Sequence, residues 1–473
     1  MVRTGKIVRR IFLFGAVVLA GGAAIGWWKY KTPYGNPSDD DLAEGAATLN
    51  PYVMIDANGV TIVAPRAEMG QGVHTTLAAL VAEEMDLVLA DVTVIHGPAS
   101  AAYFNAGVLE ESAFFLPIDT GWLAETVRGG MHIPGKFLGL QITGGSSSII
   151  DAFDKMRLAG AAARAALVQA AAARLNVAAD TLKTEGSAVV APGGTRLLYT
   201  DLAANAAKQS LSATPEPKLR ANWRLLGKTP PRVDMLAKAT GTAEFTADLR
   251  FATAHSNPNL GAAMNGYDAT AALAMPEVEK IVPIIGGVAV VATSTWAALQ
   301  AAQVISFDWI AASYPADSAA ITQTLNDSFN PDCQDSRNRD DCDVDAALTG
   351  DVFQAAYSAP YFAHATMEPM TAAAQLKDGH LTVWAGNQLP TQILTEGAAL
   401  TRLPIGAIAV ETRLMGGGFG RRAEMDIIRQ AITVAIAMQG TPVLLTWSRE
   451  EDMTHDIIAP PPMPGFVARS KAA

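Results

Sequence analysis

The sequence MGGGFGRR at residues 415–422 places a glycine run, an aromatic side chain and two arginines directly before a helical pattern. Glycine reaches positive φ and lets the backbone approach a ligand without an intervening Cβ atom. The apolar residues Ile428, Ile432 and Ile436 follow at helical spacing, and unpaired N–H groups at a helix start suit an anionic group. The pattern indicates either a ligand-binding loop or a flexible turn at the end of a strand.

Common nucleotide-binding motifs do not account for this loop. A G-x-G-x-x-G motif would need glycine where Arg421 stands, and no G-K-[S/T] sequence follows. Two further loops have the same character, because EMGQGVHT at residues 68–75 and TGGSSS at residues 143–148 each precede an apolar or alanine-rich helical pattern. Both suit the polar edge of a ligand, although TGGSSS is also compatible with a plain serine-glycine loop and His74 with a structural role.

Length and charge limit the function classes. The chain has 473 residues, enough for several domains, and a formal net charge of −11 without a basic stripe. Nucleic acid is therefore not expected as a partner.

Positive charge is concentrated at the start of the chain. Arg9 and Arg10 precede an uncharged segment from Ile11 to Trp28, which approaches the roughly 20 residues needed to cross a bilayer. The pattern predicts a twin-arginine export signal or an uncleaved membrane anchor within residues 1–30. Both interpretations place the body of the protein on the periplasmic side of the inner membrane.

The sequence contains two cysteines, Cys333 and Cys342. In an exported protein they are candidates for a disulfide, and two free thiols are the alternative. Two cysteines do not provide the four ligands of an iron–sulfur cluster. We therefore expect any redox electrons to leave through another subunit.

Six motifs in order give the chain a family resemblance. They are EMGQGVHT with AEEM, TGGSSS with the following R-x-x-GAAAR helix, TGTAEFTADL, AHATMEP, WAGNQ and GGGFGRR. Together they resemble the molybdopterin-binding catalytic subunit of the xanthine dehydrogenase and aldehyde oxidase superfamily. EMGQG comes before TGTAEFTADL in the chain. This order resembles that of the branch that contains the isoquinoline 1-oxidoreductase beta subunit.

The resemblance implies roles for individual residues. Gln388 matches a glutamine near the molybdenum oxo ligand, and Phe419 matches a residue whose backbone lies beside the metal. Glu368 matches either a buried structural carboxylate or a pocket residue. The residues implied to contact the cofactor are Gly70, Gln71, Gly72, Gly145, Ser146, Ser147, Gly416, Gly417, Gly418, Phe419, Gly420 and Arg421.

The resemblance also implies a reaction and its participants. The cofactor is expected to be molybdopterin cytosine dinucleotide with molybdenum, and the reaction hydroxylation of an N-heteroaromatic or aldehyde substrate with water-derived oxygen. Electrons are expected to pass to a small subunit with two [2Fe-2S] clusters and then to a cytochrome or quinone. Export in the folded state fits a protein that carries a buried cofactor.

One departure from the family pattern affects the expected activity. No glycine-rich segment carrying the general-base glutamate of the family follows GGGFGRR, and the resemblance stops near Asp456, before a tail with Pro460, Pro461, Pro462 and Pro464. The sequence is therefore predicted to be either a hydroxylase subunit completed by further polypeptide or a non-catalytic, membrane-anchored remnant. In both cases this chain alone is not expected to turn over substrate.

The predicted fold is α+β, with an N-terminal transmembrane or signal helix and two molybdopterin-binding α/β segments that flank an α/β hammerhead-like module. The predicted divisions are a signal or anchor at 1–30, a linker at 31–50, cofactor-binding segments at 51–215 and 321–456, the hammerhead-like module at 216–320, and an aberrant proline-rich tail at 457–473.

Overall fold

A computed structural model describes residues 29–39, 42–110, 115, 119–211, 215–249, 252–256, 263–315, 317–328, 346, 352–357, 361–456 and 466–471. These residues form a mixed α/β structure, as the sequence predicted. The prediction of a transmembrane helix is not supported and is corrected, because none of the described helices is long and apolar enough to cross a membrane. The predicted span at 11–28 and the cysteine pair lie outside the described residues.

A four-stranded sheet opens the described fold. Residues 53–64 form an antiparallel hairpin in which Asp56 pairs with Gly59, and Gly59 has a φ of +134°. The last two strands of the sheet are parallel. In spatial order the strands are β1 (Ala47–Asn50), β2 (Val53–Asp56), β3 (Gly59–Ala64) and β4 (Thr93–His96).

Two helices cover this sheet. Helix α1 (Val73–Met85) packs along the longer helix α4 (Ser147–Leu175). Their close approach depends on Gly160, where an added Cβ would lie 2.9 Å from the Cβ of Glu84 and 3.0 Å from the carbonyl oxygen of Val81. Gly160 therefore allows the two helices to pack closely.

A seven-stranded sheet forms the second core. Helix α11 (Asp426–Ala437) packs on it and buries Ile428, Ile432 and Ala435. The β15–β16 and β8–β17 pairs are parallel and the others antiparallel. In spatial order the strands are β10 (Val278–Ile284), β11 (Gly287–Ala292), β8 (Ala252–Ser256), β17 (Val443–Thr446), β14 (Thr371–Lys377), β15 (His380–Ala385) and β16 (Ile408–Thr412).

Smaller elements complete the described structure. Part of the predicted aberrant tail forms a strand, because β18 (Phe466–Lys471) pairs antiparallel with β13 (Val352–Tyr357). The other strands are β5 (Lys183–Glu185), β6 (Ala188–Val190), β7 (Arg196–Leu198), β9 (Met264–Asp268) and β12 (Ser306–Trp309). The other helices are α2 (Gly107–Glu110), α3 (Trp122–Leu138), α5 (Tyr199–Ala206), α6 (Met235–Thr240), α7 (Thr270–Leu273), α8 (Thr295–Gln303), α9 (Ser318–Asp327), α10 (Pro390–Thr401) and α12 (Arg449–Thr454).

Candidate functional site

The three glycine-containing loops meet at one cavity, although more than 340 residues separate the first from the last. The loop before α1, the loop before α4 and the glycine loop before α11 all contribute to its wall, together with Gln388 after β15. The cavity has a volume of about 560 Å³, and its lining residues are Met69, Gly70, Gln71, Gly144, Gly145, Ser146, Gln388, Gly418, Phe419 and Gly420.

Most of the residues selected from the sequence lie at this cavity. Gly70, Gln71, Gly145, Ser146, Gln388, Gly418, Phe419 and Gly420 line it. The remaining predicted contacts are not part of its lining; they are Gly72, Ser147, Gly416, Gly417 and Arg421. Whether these residues contact a cofactor stays a prediction.

Two lining residues were missed, Met69 and Gly144. Both lie inside motifs that the sequence had singled out. The close approach of Met69 explains one glycine of the distant loop, because a Cβ at Gly418 would lie 2.2 Å from the Met69 sulfur and 2.8 Å from the Gln388 Oε1 atom. Only the fold brings these loops together, so no local pattern indicated this contact.

Gln388 joins two of the loops through its side-chain amide. The side chain is buried, its Nε2 atom donates to the carbonyl of Thr143 at 2.8 Å, and its Oε1 atom accepts from the N–H of Gly420 at 3.1 Å. The backbone adds a second link, since the N–H of Thr143 donates to the carbonyl of Gln388 at 2.8 Å. Gln388 therefore fixes the relative positions of two cavity walls.

A buried carboxylate already accepts hydrogen bonds from N–H groups of the loop before α1, at residues 68–75. One oxygen of Glu68 accepts from Gly70 and Gly72, both at 2.9 Å, and the other accepts from His74 at 3.1 Å. Arg232 lies 3.2 Å from the same carboxylate. The anion-binding capacity predicted at this helix start is thus used by the protein's own glutamate.

A second buried carboxylate holds the glycine loop. Glu368 accepts from the N–H of Gly416 and from the Nη2 atom of Arg422, both at 3.0 Å. The Arg422 guanidinium is fully buried and also donates to the carbonyls of Gly417 and Glu368, at 2.9 Å and 2.8 Å. Burial lowers the pKa of this arginine. Of the two roles considered for Glu368, the structure supports the structural one.

Arg421 also binds carboxylates of its own chain. Its side chain is buried, donates to both oxygens of Asp426 at 3.0 Å and 2.7 Å, and lies 3.1 Å from Asp456. Its guanidinium stacks over Trp447 at 5.5 Å. Both arginines of the glycine loop therefore form ion pairs with carboxylates of the same chain.

The loop before α4, TGGSSS at residues 143–148, is also stabilised by hydrogen bonds within the chain. The hydroxyl of Ser147 donates to the carbonyl of Gly144 at 2.7 Å and accepts from the Asn105 amide at 2.9 Å. Ser146 adopts a left-handed conformation with a φ of +50° and makes no side-chain cap to α4. Ser146 therefore faces the cavity, whereas Ser147 supports the loop from below.

Comparison with known proteins identifies the part of the chain that carries the glycine loop. Residues 330–461 match the sequence profile of the molybdopterin cofactor-binding domain. The chain contains a molybdopterin cofactor-binding domain. The resemblance predicted from the motifs is confirmed.

Three curated relatives are similar to most of the chain. The beta chain of isoquinoline 1-oxidoreductase from Brevundimonas diminuta is 27% identical, over 96% of this chain and 61% of that protein. The membrane-bound aldehyde dehydrogenase of Gluconacetobacter polyoxogenes is 27% identical, over 90% and 53%. A subunit of nicotinate dehydrogenase from Pseudomonas putida is 28% identical, over 81% and 31%. The chain thus spans between 31% and 61% of the length of these relatives.

Similarity to solved structures is weaker. Quinoline 2-oxidoreductase from Pseudomonas putida 86 superposes with a TM-score of 0.37 at 21% identity, covering 46% of this chain and 34% of that one. Aldehyde oxidoreductase from Desulfovibrio gigas gives a TM-score of 0.39 at 17% identity, covering 55% and 35%. These superpositions add nothing to the assignment of the cofactor-binding domain.

The cavity is suited to the molybdopterin cofactor after which this domain is named. A Cβ at Gly70, Gly144 or Gly420 would meet no atom within 4 Å, so bare backbone borders open space at all three loops. The volume lies in the range of roughly 300–1,000 Å³ that small-molecule sites occupy. Among the described residues that line the cavity, none is ionisable. This wall can hold and orient a flat polar ligand, but it supplies no acid or base.

Proposed function

We propose that this chain is the cofactor-holding part of a molybdenum hydroxylase that oxidises an N-heteroaromatic or aldehyde substrate with oxygen derived from water. The observation that carries the proposal is the convergence of three glycine loops and Gln388 on one cavity within a chain that contains a molybdopterin cofactor-binding domain. The names of the relatives, which act on isoquinoline, nicotinate or an aldehyde, support this substrate class.

The protein's own residues would bind and position the cofactor. The backbone of Gly70, Gly144 and Gly420 would lie against it, and the Gln388 amide would keep the loops at a fixed separation. The exposed Phe419 ring, 71% accessible, would cover one side. Molybdopterin cytosine dinucleotide, when bound, would supply the redox chemistry through its molybdenum.

A partner must carry the electrons away. We propose a small subunit with two [2Fe-2S] clusters, followed by a cytochrome or quinone, because two of the relatives are named as subunits of larger enzymes. We also propose export to the periplasm through the paired arginines Arg9 and Arg10, which lie outside the described residues.

A non-catalytic role is the second candidate. It is favoured by one observation, the lack of an ionisable group among the described residues of the cavity wall. Turnover would then need a proton acceptor from further polypeptide. We expect no substrate-dependent dye reduction by the purified 473-residue chain. Reduction of the dye at a rate proportional to protein would contradict this expectation.

The test is the content of molybdenum and pterin in protein purified from a host that makes the dinucleotide cofactor. Two glycine substitutions provide a matched pair, since neither glycine has a positive φ and a Cβ at either would meet no atom within 4 Å. Gly144→Leu places a side chain at the cavity wall, whereas Gly193→Leu places it far from the cavity in the turn before β7.

We expect near-stoichiometric molybdenum in the wild type and in Gly193→Leu, and at least a tenfold loss in Gly144→Leu with unchanged circular dichroism. Wild-type protein without molybdenum or pterin would overturn the proposal. Equal molybdenum content in the two variants would show that the cofactor lies elsewhere.

A further inference from the structure

A second, larger cavity lies between the two main sheets. Its volume is about 720 Å³, and it shares no lining residue with the loop cavity. Strand β4 borders it from the four-stranded sheet and strand β16 from the seven-stranded sheet. We call this cavity, between residues 92–98 and 410–414, the inter-sheet slot.

Both strands that border the slot are edge strands. Within the part of the chain that the structure describes, β4 pairs with β3 and β16 pairs with β15. Beyond the end of β16, Leu414 forms an isolated parallel bridge with Phe245, so the open edge of β16 ends before Leu414. The N–H of Gly97 donates to Ala64 in β3 and that of Arg413 donates to Ala385 in β15. Because successive peptide groups of a strand face opposite sides, the groups that face away from their own sheet are those of Val94, His96, Val410 and Thr412.

Buried side-chain atoms at the slot also lack partners. They are the Nε2 atom of His96, the Oγ1 atom of Thr412 and the Nε atom of Arg413. His96 donates from Nδ1 to the Gly97 carbonyl at 2.6 Å, so its Nε2 atom is an acceptor. The Nε–H group of Arg413 is a donor, and the hydroxyl of Thr412 can donate or accept a hydrogen bond. Unpaired buried polar atoms are rare in folded proteins.

The outer edges of the same two sheets differ from the edge formed by β4, whereas β16, with the sequence IAVET, carries the charged residue Glu411. The outer strand β10 contains Pro283 with the charged residues Glu279 and Lys280, and the outer strand β1 is irregular between Thr48 and Asn50. Proteins use proline, charge and irregularity to keep exposed edges from pairing with other chains. Strand β4 has the regular sequence TVIH without proline or an acidic or basic charge, so it lacks this protection.

We propose that the inter-sheet slot binds an extended polypeptide segment, which pairs with β4 on one side and β16 on the other. Main-chain hydrogen bonds would join the two sheets, as in other complexes formed by strand addition. The partly exposed valines that line the slot, Val92, Val94 and Val233, would contact alternate side chains of the inserted segment.

The occupant is a segment of the region that the relatives have in addition to the part this chain matches. At least 39% of each curated relative falls in that additional region, because the matches cover at most 61% of their length. Polypeptide that belongs to the same enzyme and has no counterpart here is the natural partner for two open edges. The inference does not depend on cofactor binding.

The test uses photo-crosslinking in the complex isolated from the protein's own host. The photoreactive amino acid p-benzoylphenylalanine is placed at Thr412 or at Ile95, one residue on each side of the slot. We expect both positions to crosslink to the same short segment, within about ten residues, of polypeptide that aligns with the additional region of the relatives. Crosslinks to two different polypeptides, to an iron–sulfur subunit, to residues 1–473 of this chain or to nothing would each overturn the proposal.

A pair of substitutions at one position tests the main-chain pairing. Val410→Pro removes an N–H group that faces the slot, whereas Val410→Ala shortens the same side chain and keeps the N–H. We expect Val410→Pro to lower the crosslink yield from Ile95 at least fivefold relative to Val410→Ala. Equal yields in folded variants would exclude strand pairing. If Val410→Pro does not fold, protection of the Val410 amide from hydrogen exchange in the wild-type complex decides the question, and unprotected exchange overturns the proposal.

Discussion

The glycine loop depends on the buried pair formed by Glu368 and Arg422. The Glu368 carboxylate accepts from Arg422 Nη2 and from the N–H of Gly416, both at 3.0 Å. Arg422 is fully buried and Glu368 is 9% exposed. In Glu368→Ala the guanidinium stays buried without its carboxylate, which costs about 3–5 kcal/mol of unfolding free energy when one partner of a buried pair is lost.

Glu368→Gln separates charge from shape. The amide oxygen still accepts from Gly416, but the negative charge beside Arg422 is lost, and we expect a loss of about 1.5–3 kcal/mol. The control is Glu125→Ala, which removes a surface pair with Arg128 in which the glutamate is 59% exposed and which contributes about 0–1 kcal/mol.

Urea unfolding followed by tryptophan fluorescence measures these losses, and hydrogen exchange of residues 415–422 reports the loop directly. We expect faster exchange of the loop in both Glu368 variants and not in Glu125→Ala. A loss in Glu368→Ala no larger than that in Glu125→Ala, with unchanged loop exchange, would refute the structural role of Glu368.

Three further predictions address other parts of the fold. Gly160→Val forces α1 and α4 apart and should cost about 1–3 kcal/mol or more in thermal unfolding, with Gly193→Val, in open space, near neutral; equal melting temperatures would contradict this. Burial lowers the pKa of His96 from 6.5 to about 3. The contribution of neutral His96 to the free energy of unfolding is therefore complete above about pH 6.5 and is lost as the pH falls towards 3. The free energy of unfolding of His96→Gln should therefore fall less steeply with decreasing pH than that of the wild type over this interval. Parallel plots of unfolding free energy against pH for the two proteins would refute the lowered pKa of His96. Gln388→Glu replaces the donor to Thr143 with an acceptor and should cost about 1–3 kcal/mol. A urea titration against the wild type checks this loss, and equal midpoints would contradict it.

Much of the local structure was predictable because it depends on short-range chemistry. The hairpin at Asn58 and Gly59, the helix after GGGFGRR and the long alanine-rich helix all follow from turn residues and helical spacing. The candidate cavity was predictable as separate loops, since glycine and serine before a helix start indicate backbone that a ligand can approach.

The assignment of individual residues was less predictable. Arg421, Gly72 and Gly416 belong to conspicuous motifs, yet their polar groups bind Asp426, Glu68 and Glu368 within the chain. A glycine N–H or an arginine in a motif can serve a ligand or a distant carboxylate equally well. The identity of its partner depends on which segments the fold brings into contact.

Local patterns were enough to predict the glycine-to-helix junctions, the mixed α/β composition and the resemblance to molybdopterin-binding subunits, because each depends on residues close together in the chain. Three-dimensional packing established that the three loops surround one cavity, that buried glutamates already occupy two of them, and that β4 and β16 leave two open edges facing one slot. These features arise from contacts between residues far apart in sequence, and local patterns do not specify such contacts.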